Sequence, residues 1–298
     1  MRIFVTGATG FVGSAVVGEL LQAGHHVTGL ARSDAGAAQL AAAGAQVLRG
    51  ALEDLDSLRR GAAQADGVIH TAFIHDFSKF KENCETDRGV VAALADGLAG
   101  SARPLIVTSG TALVPPGAVA TEALRAGAAH PRVASEEAAD AAHARGVNAS
   151  VMRLPPSVHG AGDHGFVPML IKLARDKRVS AYVGTGENRW PAVHRLDVAR
   201  LYRLALEHGN NAHRRWHANA EDGVPFRAIA EAIGRGLKLP VVSVAPGEAA
   251  THFDWFAHFV ALDNHASSAY TRALVGWEPQ QAGLLADIED AASGYFAE

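Results

Sequence analysis

The chain has 298 residues, a single cysteine and a formal net charge of −4. One cysteine cannot form an intrachain disulfide, and the lack of Lys/Arg clusters argues against a nucleic-acid surface. No stretch approaches the ~18 apolar residues that span a bilayer, and no secretory signal precedes the first apolar run. These features predict a soluble, cytoplasmic α/β protein without membrane or nucleic-acid partners.

Short apolar runs alternate with longer helical stretches through the first half of the chain, which predicts parallel βαβ units. Strands are expected at Arg2–Thr6, His26–Leu30, Gln46–Leu48, Gly67–His70, Leu105–Thr108 and Ala149–Arg153. Helices are expected to begin near Phe11, Asp34, Leu55, Phe77 and Arg132. The pattern therefore favours a doubly wound parallel sheet formed by residues 1–153.

The regular alternation ends at Leu154-Pro155-Pro156, after which residues 154–298 are predicted to form mainly a smaller lobe, with some segments returning to the core. Helices are expected at Phe166–Lys177, Leu196–Glu207, Phe226–Leu237, Gly247–Leu262 and Leu284–Tyr295. The fourth carries aromatic residues at helical spacing, which is typical of a core helix. The alternatives are that it covers an apolar substrate pocket or forms a subunit contact.

Three glycines at intervals of three residues directly follow the first predicted strand and precede a helix. Glycine permits a tight turn and a close approach of the backbone to a pyrophosphate, and the helix start offers free N–H groups. This context predicts a Rossmann-type dinucleotide site. The predicted phosphate-binding residues are Gly7, Thr9, Gly10, Phe11, Val12 and Gly13.

The end of the second strand selects between the two nicotinamide dinucleotides, since a carboxylate there binds a ribose hydroxyl and an arginine attracts a 2′-phosphate. This chain has Arg32 and Ser33 at that position. Arg32 can stack on adenine and donate to the phosphate, and the Ser33 hydroxyl is a further donor. NADP(H) is the predicted cofactor. NAD(H) is the alternative, in which Arg32 is a solvated side chain beside Asp34.

Five segments in order carry a resemblance to a known superfamily. They are Thr6–Gly13, Val68–Ala72, Ile106–Gly110, Arg153–Gly160 and Trp190–Ala199. With these segments the chain resembles the extended and atypical short-chain dehydrogenase/reductases, which include NAD-dependent nucleotide-sugar epimerases and dehydratases, dihydroflavonol reductases and 3β-hydroxysteroid dehydrogenases. The resemblance covers most of the chain.

The resemblance implies where further cofactor contacts lie. Leu52 is implied near the adenine, where the adjacent Ala51 replaces an aspartate that many relatives have. The implied contacts to the sugars and the nicotinamide are His70, Thr71, Ala72, Thr108, Pro155 and Val158.

The chain departs from the superfamily at the catalytic positions. Members usually have a Tyr-x-x-x-Lys pair after strand five, in which the tyrosine donates a proton and the lysine lowers its pKa. Here Arg132 and Glu136 occupy that spacing, and Gly110 stands at the usual serine position. A guanidinium is a poor proton shuttle, so we expect binding or structural roles for Arg132 and Glu136, which can pair on one helix face.

Replacements for the missing catalytic groups are sought among nearby hydroxyls and histidines. Ser109 and Thr111 flank the vacated serine position, and His159 is the histidine candidate at the substrate entrance. Other histidines near the cleft are His75, His130, His164 and His194. Asp197 is expected to cap the helix near Val198, and with His194 to be structural. No metal site is predicted, because the histidines lack ligand spacing.

The sequence thus predicts an NADP(H)-dependent oxidoreductase acting on a small, mostly apolar carbonyl, imine or alcohol. One alternative is a nucleotide-sugar epimerase or dehydratase that recycles its cofactor, with Arg175, Lys177 and Arg189 as candidate pyrophosphate ligands. Another is a redox sensor that binds NADP(H) without turnover. The expected partner is a small-molecule substrate, and homodimer formation is left open.

Overall fold

The computed structural model describes residues 1–209 and 214–297. Its strands are β1 Arg2–Thr6, β2 His26–Ala31, β3 Gln46–Arg49, β4 Gly67–His70, β5 Pro104–Gly110, β6 Asn148–Leu154, β7 Ser157–His159, β8 Ser180–Val183, β9 Arg189–His194, β10 Arg215–His217, β11 Glu221–Pro225 and β12 Val241–Val244. Its helices are α1 Phe11–Gln22, α2 Asp34–Ala42, α3 Leu55–Gln64, α4 Phe80–Leu98, α5 Ala134–Ala144, α6 Phe166–Lys177, α7 Arg195–His208, α8 Phe226–Leu237, α9 Ala249–Phe253, α10 Ala257–Val260, α11 Ala269–Val275 and α12 Leu284–Glu289.

A seven-stranded sheet in the order β10-β6-β5-β4-β1-β2-β3 forms the centre of the fold. Its neighbouring strands all pair in parallel. Ile3 and Val5 of β1 face a core that includes α1 and α7, whereas Phe4 faces a core built with α3, α4 and α5. Helices therefore cover both faces, and the predicted doubly wound α/β fold is confirmed.

The strand order reverses beside β1, because the chain runs outward through β2 and β3 and returns to β4 on the other side. In open α/β sheets, ligands bind in the crevice at the carboxyl ends of the strands on either side of such a reversal. The turns that follow β1, β2 and β4 therefore meet at one edge of the sheet. This edge positions the candidate site.

Most predicted helices are confirmed, and α6 and α8 have the predicted bounds. Two helices begin slightly later than predicted. A 3-10 turn over Phe77–Lys79 precedes α4, and a second over Pro131–Val133 precedes α5. Proline suits a first helical turn because the N–H that it lacks would have no partner there.

The second half of the chain contributes to two cores. Helix α7 packs against α1, and β10 extends the main sheet beside β6. The sheets β11-β9-β7 and β12-β8 share a separate core with α6, α8 and α12. The division of the chain at residue 153, with some later segments returning to the core, stays a prediction.

The predicted helix Gly247–Leu262 is wrong as one continuous element. It is divided into α9 and α10 by a 3-10 turn over Asp254–Phe256, and Asp254 has φ +52°, which does not continue a helix. Phe253 and Phe256 are nonetheless core residues, while Trp255 is 53% exposed. The predicted C-terminal helix is also too long, because α12 ends at Glu289 and only a 3-10 turn follows.

The predicted capping role of Asp197 is wrong. Helix α7 begins at Arg195, and the Nδ1 of His194 accepts the hydrogen bond from the Leu196 amide. Asp197 instead accepts hydrogen bonds from the amides of Gln280 and Gln281, at 2.8 and 3.0 Å. Both residues have structural roles, but Asp197 holds the segment before α12 rather than the start of its own helix.

Candidate active site

The turn between β1 and α1 is built on glycine because there is no room for side chains in it. Gly7 has φ +67°, and a Cβ there would lie 2.6 Å from the Ala72 amide nitrogen. A Cβ on Gly13 would lie 2.0 Å from the Gly7 carbonyl oxygen. At Gly10 the only heavy atom within reach of a Cβ is that same oxygen, at 3.2 Å. Gly7 and Gly13 therefore lie where the backbone packs too tightly for a side chain. Gly10 has few neighbours, so the side of the turn on which it lies is accessible to a ligand.

The amino end of α1 fits a phosphate group. Gly10 is the N-cap, and no side chain caps the helix. The amides of Phe11 and Val12 at the helix start have no intrahelical acceptor, and the helix dipole adds partial positive charge. An open face beside free amides is what a pyrophosphate requires. The residues present thus fit a dinucleotide, with Gly10, Phe11 and Val12 at its phosphates.

The segment after β4 packs directly against the glycine turn. The Thr71 hydroxyl donates to the Thr6 carbonyl oxygen over 2.8 Å, and Ala72 lies against Gly7. The His70 side chain is fully buried and points into a polar network, so only its backbone faces this edge. Thr108 on β5 donates to the His70 carbonyl oxygen over 2.6 Å. Contacts of His70, Thr71, Ala72 and Thr108 with a cofactor stay a prediction.

Arg32 is an exposed cation at the end of β2. Within the described residues, its guanidinium has no hydrogen-bond or ion-pair partner. Asp34 pairs with Arg49, at 2.9 Å, and Ser33 caps α2 by accepting from the Gly36 amide. Because Arg49 takes the neighbouring carboxylate, Arg32 remains available to an anion.

Three other predicted cofactor residues follow β3 or β6 along the chain. Leu52 is half-buried after β3, Pro155 is buried in the turn between β6 and β7, and Val158 is half-buried on β7. Thr9, in the glycine turn, has its methyl group near the Gly36 position. Their contacts with adenine or nicotinamide stay a prediction.

Arg132, which stands where relatives have the tyrosine, is bound into a buried network around Asp87 of α4. One Asp87 oxygen lies 2.9 Å from His70 Nε2, and the other accepts from Arg132 over 3.0 Å and from Ser135. Thr6 completes the network at His70 Nδ1. Burial alone would raise the pKa of Asp87, but its interactions with His70 and Arg132 outweigh burial and lower the pKa. The sequence pattern does not single out Asp87, because its partners His70, Arg132 and Ser135 are distant from it along the chain.

Glu136, which stands where relatives have the lysine, is buried in a second network. Arg153 donates to both of its oxygens over 2.8 and 2.7 Å, and Ser109 donates over 2.8 Å. Arg215 approaches to 3.4 Å. Burial opposes ionisation of Glu136, but Arg153, Ser109 and Arg215 together lower its pKa. The expected pairing of Arg132 with Glu136 is therefore wrong, since each has a different partner.

The three candidate catalytic residues are buried in three separate places. Ser109 is bound to Glu136, and Thr111 donates to the Asn264 side chain over 2.8 Å. His159 is fully buried, with Nδ1 2.7 Å from Asp287, and its Nε2 has no hydrogen-bond partner among the described residues. A catalytic role for Ser109, Thr111 and His159 stays a prediction that their burial does not support.

Aromatic and imidazole rings form a cluster that begins beside the Arg132 guanidinium. Its guanidinium lies 4.1 Å from the centre of the Phe73 ring, and the His75 ring lies 5.3 Å from the same ring. Phe80 contacts Phe73 at 6.0 Å. Phe77, from the same segment, lies 5.6 Å from Trp255 of the second half of the chain. We call the rings of Phe73, His75, Phe77, Phe80, His130 and Trp255 the aromatic cluster. Sequence reasoning missed its phenylalanines, although their close spacing after β4 was a usable signal.

The sheet reversal, the closed glycine turn and the uncapped start of α1 define a dinucleotide-binding protein of the Rossmann type. No helix in the described part of the chain is long and apolar enough to cross a membrane.

Comparison with known proteins identifies the family. The family model described as the NAD dependent epimerase/dehydratase family matches residues 3–219, and the chain belongs to this family. An uncharacterized protein of Schizosaccharomyces pombe is 50% identical over 298 residues, covering 99% of this chain and 100% of the relative. The 4-hydroxy-2-methyl-3-oxo-4-farnesyl-3,4-dihydroquinoline-1-oxide ketoreductase of Stigmatella aurantiaca is 29% identical over 228 residues, covering 70% of this chain and 65% of the ketoreductase.

A solved structure shows the same fold. The UDP-glucose 4-epimerase of Thermus thermophilus, crystallised in complex with NAD, aligns with a TM-score of 0.75 at 20% identity and covers 99% of both chains. The family-model match confirms the family predicted by resemblance.

The buried Glu136 network generates a stability prediction. The Glu136→Gln change should lower the free energy of unfolding by roughly 3 kcal/mol, because it leaves the buried Arg153 charge without a carboxylate. The matched control is Glu137→Gln on the same helix turn, where an exposed pair with Arg88 is worth at most about 1 kcal/mol. Urea unfolding at neutral pH measures both.

The pH dependence of that difference follows from the lowered pKa of Glu136. The stabilisation is fully present above the pKa of an unfolded glutamate, about 4.3, and is lost as the pH falls through the lower pKa of the folded state. Equal stabilities of Glu136→Gln and Glu137→Gln at neutral pH would contradict the prediction.

Proposed function

We propose that the chain is an NADP(H)-dependent oxidoreductase that transfers hydride to or from a small, mostly apolar carbonyl, imine or alcohol. The observation that carries the proposal is the aromatic cluster, in which Phe73, His75 and Phe77 lie on the segment that packs against the glycine turn. Ligand pockets are largely apolar and aromatic, with a few polar groups that fix orientation. Here the polar groups are Arg132 and His75.

Two exposed rings support an apolar substrate. Phe77 is 42% exposed and Trp255 is 53% exposed, although they lie 5.6 Å apart. Large exposed aromatic rings from two parts of the chain form a surface that an apolar molecule would cover favourably. The Stigmatella relative, whose name describes a ketoreductase of a farnesyl-bearing 3-oxo compound, is consistent with this substrate class.

The chemistry is divided between cofactor and protein. When bound, the nicotinamide supplies or accepts the hydride. Arg132 stays ionised at any working pH, so it can orient and polarise a carbonyl oxygen but cannot readily give up a proton. His75 flanks Phe73 together with Arg132 and retains access to solvent. We assign His75 as the proton donor in reduction and the proton acceptor in oxidation.

A nucleotide-sugar epimerase or dehydratase is the second candidate, and the family match and the Thermus structure favour it. The cations considered for a sugar nucleotide have other partners. Arg189 pairs with Asp263, Arg175 donates to the Phe296 carbonyl oxygen, and Lys177 donates to the Thr251 carbonyl oxygen. Their partners Asp263, Phe296 and Thr251 belong to neither the glycine turn nor the aromatic cluster, so we rank this candidate below the oxidoreductase. A redox sensor is the third candidate, because both members of the Tyr-Lys pair are replaced.

The first test measures turnover. We expect the purified chain to consume NADPH with one or more members of a panel of aryl ketones, quinones, aldehydes and cyclic imines, followed by loss of NADPH absorbance. Conversion of UDP-glucose without net cofactor consumption, followed by chromatography, would support the epimerase instead. Tight NADPH binding with no turnover on the whole panel would favour the sensor and contradict the proposal.

The second test concerns cofactor preference. Titration by intrinsic fluorescence should show tighter binding of NADPH than of NADH, since Arg32 is free to bind the 2′-phosphate. Arg32→Ala should weaken NADPH binding by about tenfold or more, as expected for a charge-assisted hydrogen bond, and weaken NADH binding far less, because NADH can lose only the stacking of Arg32 on adenine. Arg60→Ala, which removes another exposed arginine, is the control. Equal affinities of the parent chain for both dinucleotides would refute the assignment.

The third test concerns His75. Partial burial, followed by the charges of Arg132 and His164, lowers its pKa from the usual 6.5. Reduction needs the protonated imidazole, so kcat/KM for reduction should be constant below this lowered pKa and fall about tenfold per pH unit above it. For oxidation, which needs the neutral imidazole, the profile should rise and then level off.

Substitution separates this role from a structural one. His75→Asn should remove the pH-dependent fall in reduction and the pH-dependent rise in oxidation. The control is His26→Asn, which changes an exposed histidine at the opposite end of the sheet and should leave both profiles unchanged. An unaltered profile in His75→Asn would exclude His75 as the proton carrier.

A further inference from the structure

Arg195, the first residue of α7, lies against the start of α1. Its guanidinium carbon is 4.9 Å from the centre of the Phe11 ring, and its Nη1 donates to the Ala161 carbonyl oxygen over 3.0 Å. Phe11 is the first residue of α1 and carries one of the free amides of the glycine turn. A cation from the second half of the chain is therefore held beside the predicted phosphate site.

The loop that holds Arg195 depends on glycine. Gly160 has φ +132° and Gly162 has φ +82°, which other residues rarely adopt. A Cβ on Gly160 would lie 2.8 Å from His194 Nε2 and 3.1 Å from Arg195 Cγ. The loop thus runs close over the start of α7 and brings the Ala161 carbonyl to the guanidinium. The local backbone fixes the position of Arg195.

The charge of Arg195 is not matched by a carboxylate. No Asp or Glu of the described residues forms an ion pair with it, whereas Arg203 on the same helix pairs with Glu19 and Glu207. The His164 ring lies on Phe11 as well, 5.7 Å away. A half-buried guanidinium with one carbonyl partner retains donors for an anion, and its planar fork suits phosphate oxygens.

We propose that Arg195 binds the pyrophosphate of the dinucleotide from the side opposite the glycine turn. The inference rests on the proposed function to the extent that a dinucleotide binds. Arg32 then binds the 2′-phosphate, and Arg195 binds the pyrophosphate. These two contacts are separable with cofactor fragments.

The experiment measures dissociation constants of NADPH, ADP-ribose and 2′-AMP for purified variants by calorimetry. ADP-ribose has the pyrophosphate and no 2′-phosphate, and 2′-AMP has the reverse. Arg195→Met should weaken NADPH and ADP-ribose by about tenfold or more and leave 2′-AMP unchanged. Arg32→Ala should weaken NADPH and 2′-AMP by about tenfold or more and ADP-ribose far less, because ADP-ribose can lose only the stacking of Arg32 on adenine. Arg195→Lys should restore part of the lost affinity.

Arg200→Met is the matched control, because Arg200 lies on the same helix and also donates to a backbone carbonyl, that of Glu278. It should leave all three ligands unaffected. Normal binding of NADPH and ADP-ribose by Arg195→Met would overturn the inference, and so would an equal loss of 2′-AMP affinity, which would indicate structural damage. Failure of the parent chain to bind any dinucleotide would overturn the proposed function as well, so the two failures are distinguishable.

Discussion

The edge of the sheet that carries the candidate site depends on one buried carboxylate, that of Asp87. Its side chain is 1% exposed, and it accepts hydrogen bonds from groups on three different elements. His70 lies at the end of β4, Arg132 lies in the turn before α5, and Ser135 lies on α5. A buried charge that loses a partner costs several kcal/mol, so this carboxylate fixes where those three elements meet.

The Asp87 network limits what Arg132 can do. Its guanidinium donates to Asp87 and to the Thr108 carbonyl oxygen, at 3.0 and 3.2 Å, and only 16% of the side chain is exposed. The replacement of tyrosine by arginine therefore changes both the chemistry and the hydrogen-bond partners of this position. A neutral proton donor is replaced by a permanent positive charge, which the buried Asp87 carboxylate neutralises. In the proposed mechanism the proton therefore comes from another group, and His75, whose ring lies 5.3 Å from that of Phe73, is the proposed donor.

The fold and the cofactor loop could be predicted from the sequence because they depend on local patterns. The glycine spacing after β1 and the apolar runs of the strands are sufficient to locate them, and the structure confirms the fold and the glycine turn between β1 and α1. The side chains with which Arg132 and Glu136 form ion pairs could not be predicted in the same way. Arg132 and Glu136 are spaced to pair on one helix, but Asp87 and Arg153 compete for them from other elements, and burial favours the longer-range pairs. Asp254 is a similar case, since its positive φ interrupts a helix that the apolar spacing favours.

The short segment from His70 to Phe77 connects the two halves of the proposed chemistry. Its first residue binds Asp87 and thereby Arg132, and Ala72 closes the glycine turn against Gly7. Phe73 supports Arg132, and Phe77 reaches Trp255 in the second half of the chain. A side chain that altered the backbone at Ala72 would therefore shift the glycine turn and the aromatic cluster together. Because the proposed cofactor site and the proposed substrate site depend on the same few residues, we expect this segment to tolerate change less than its partly exposed surface suggests.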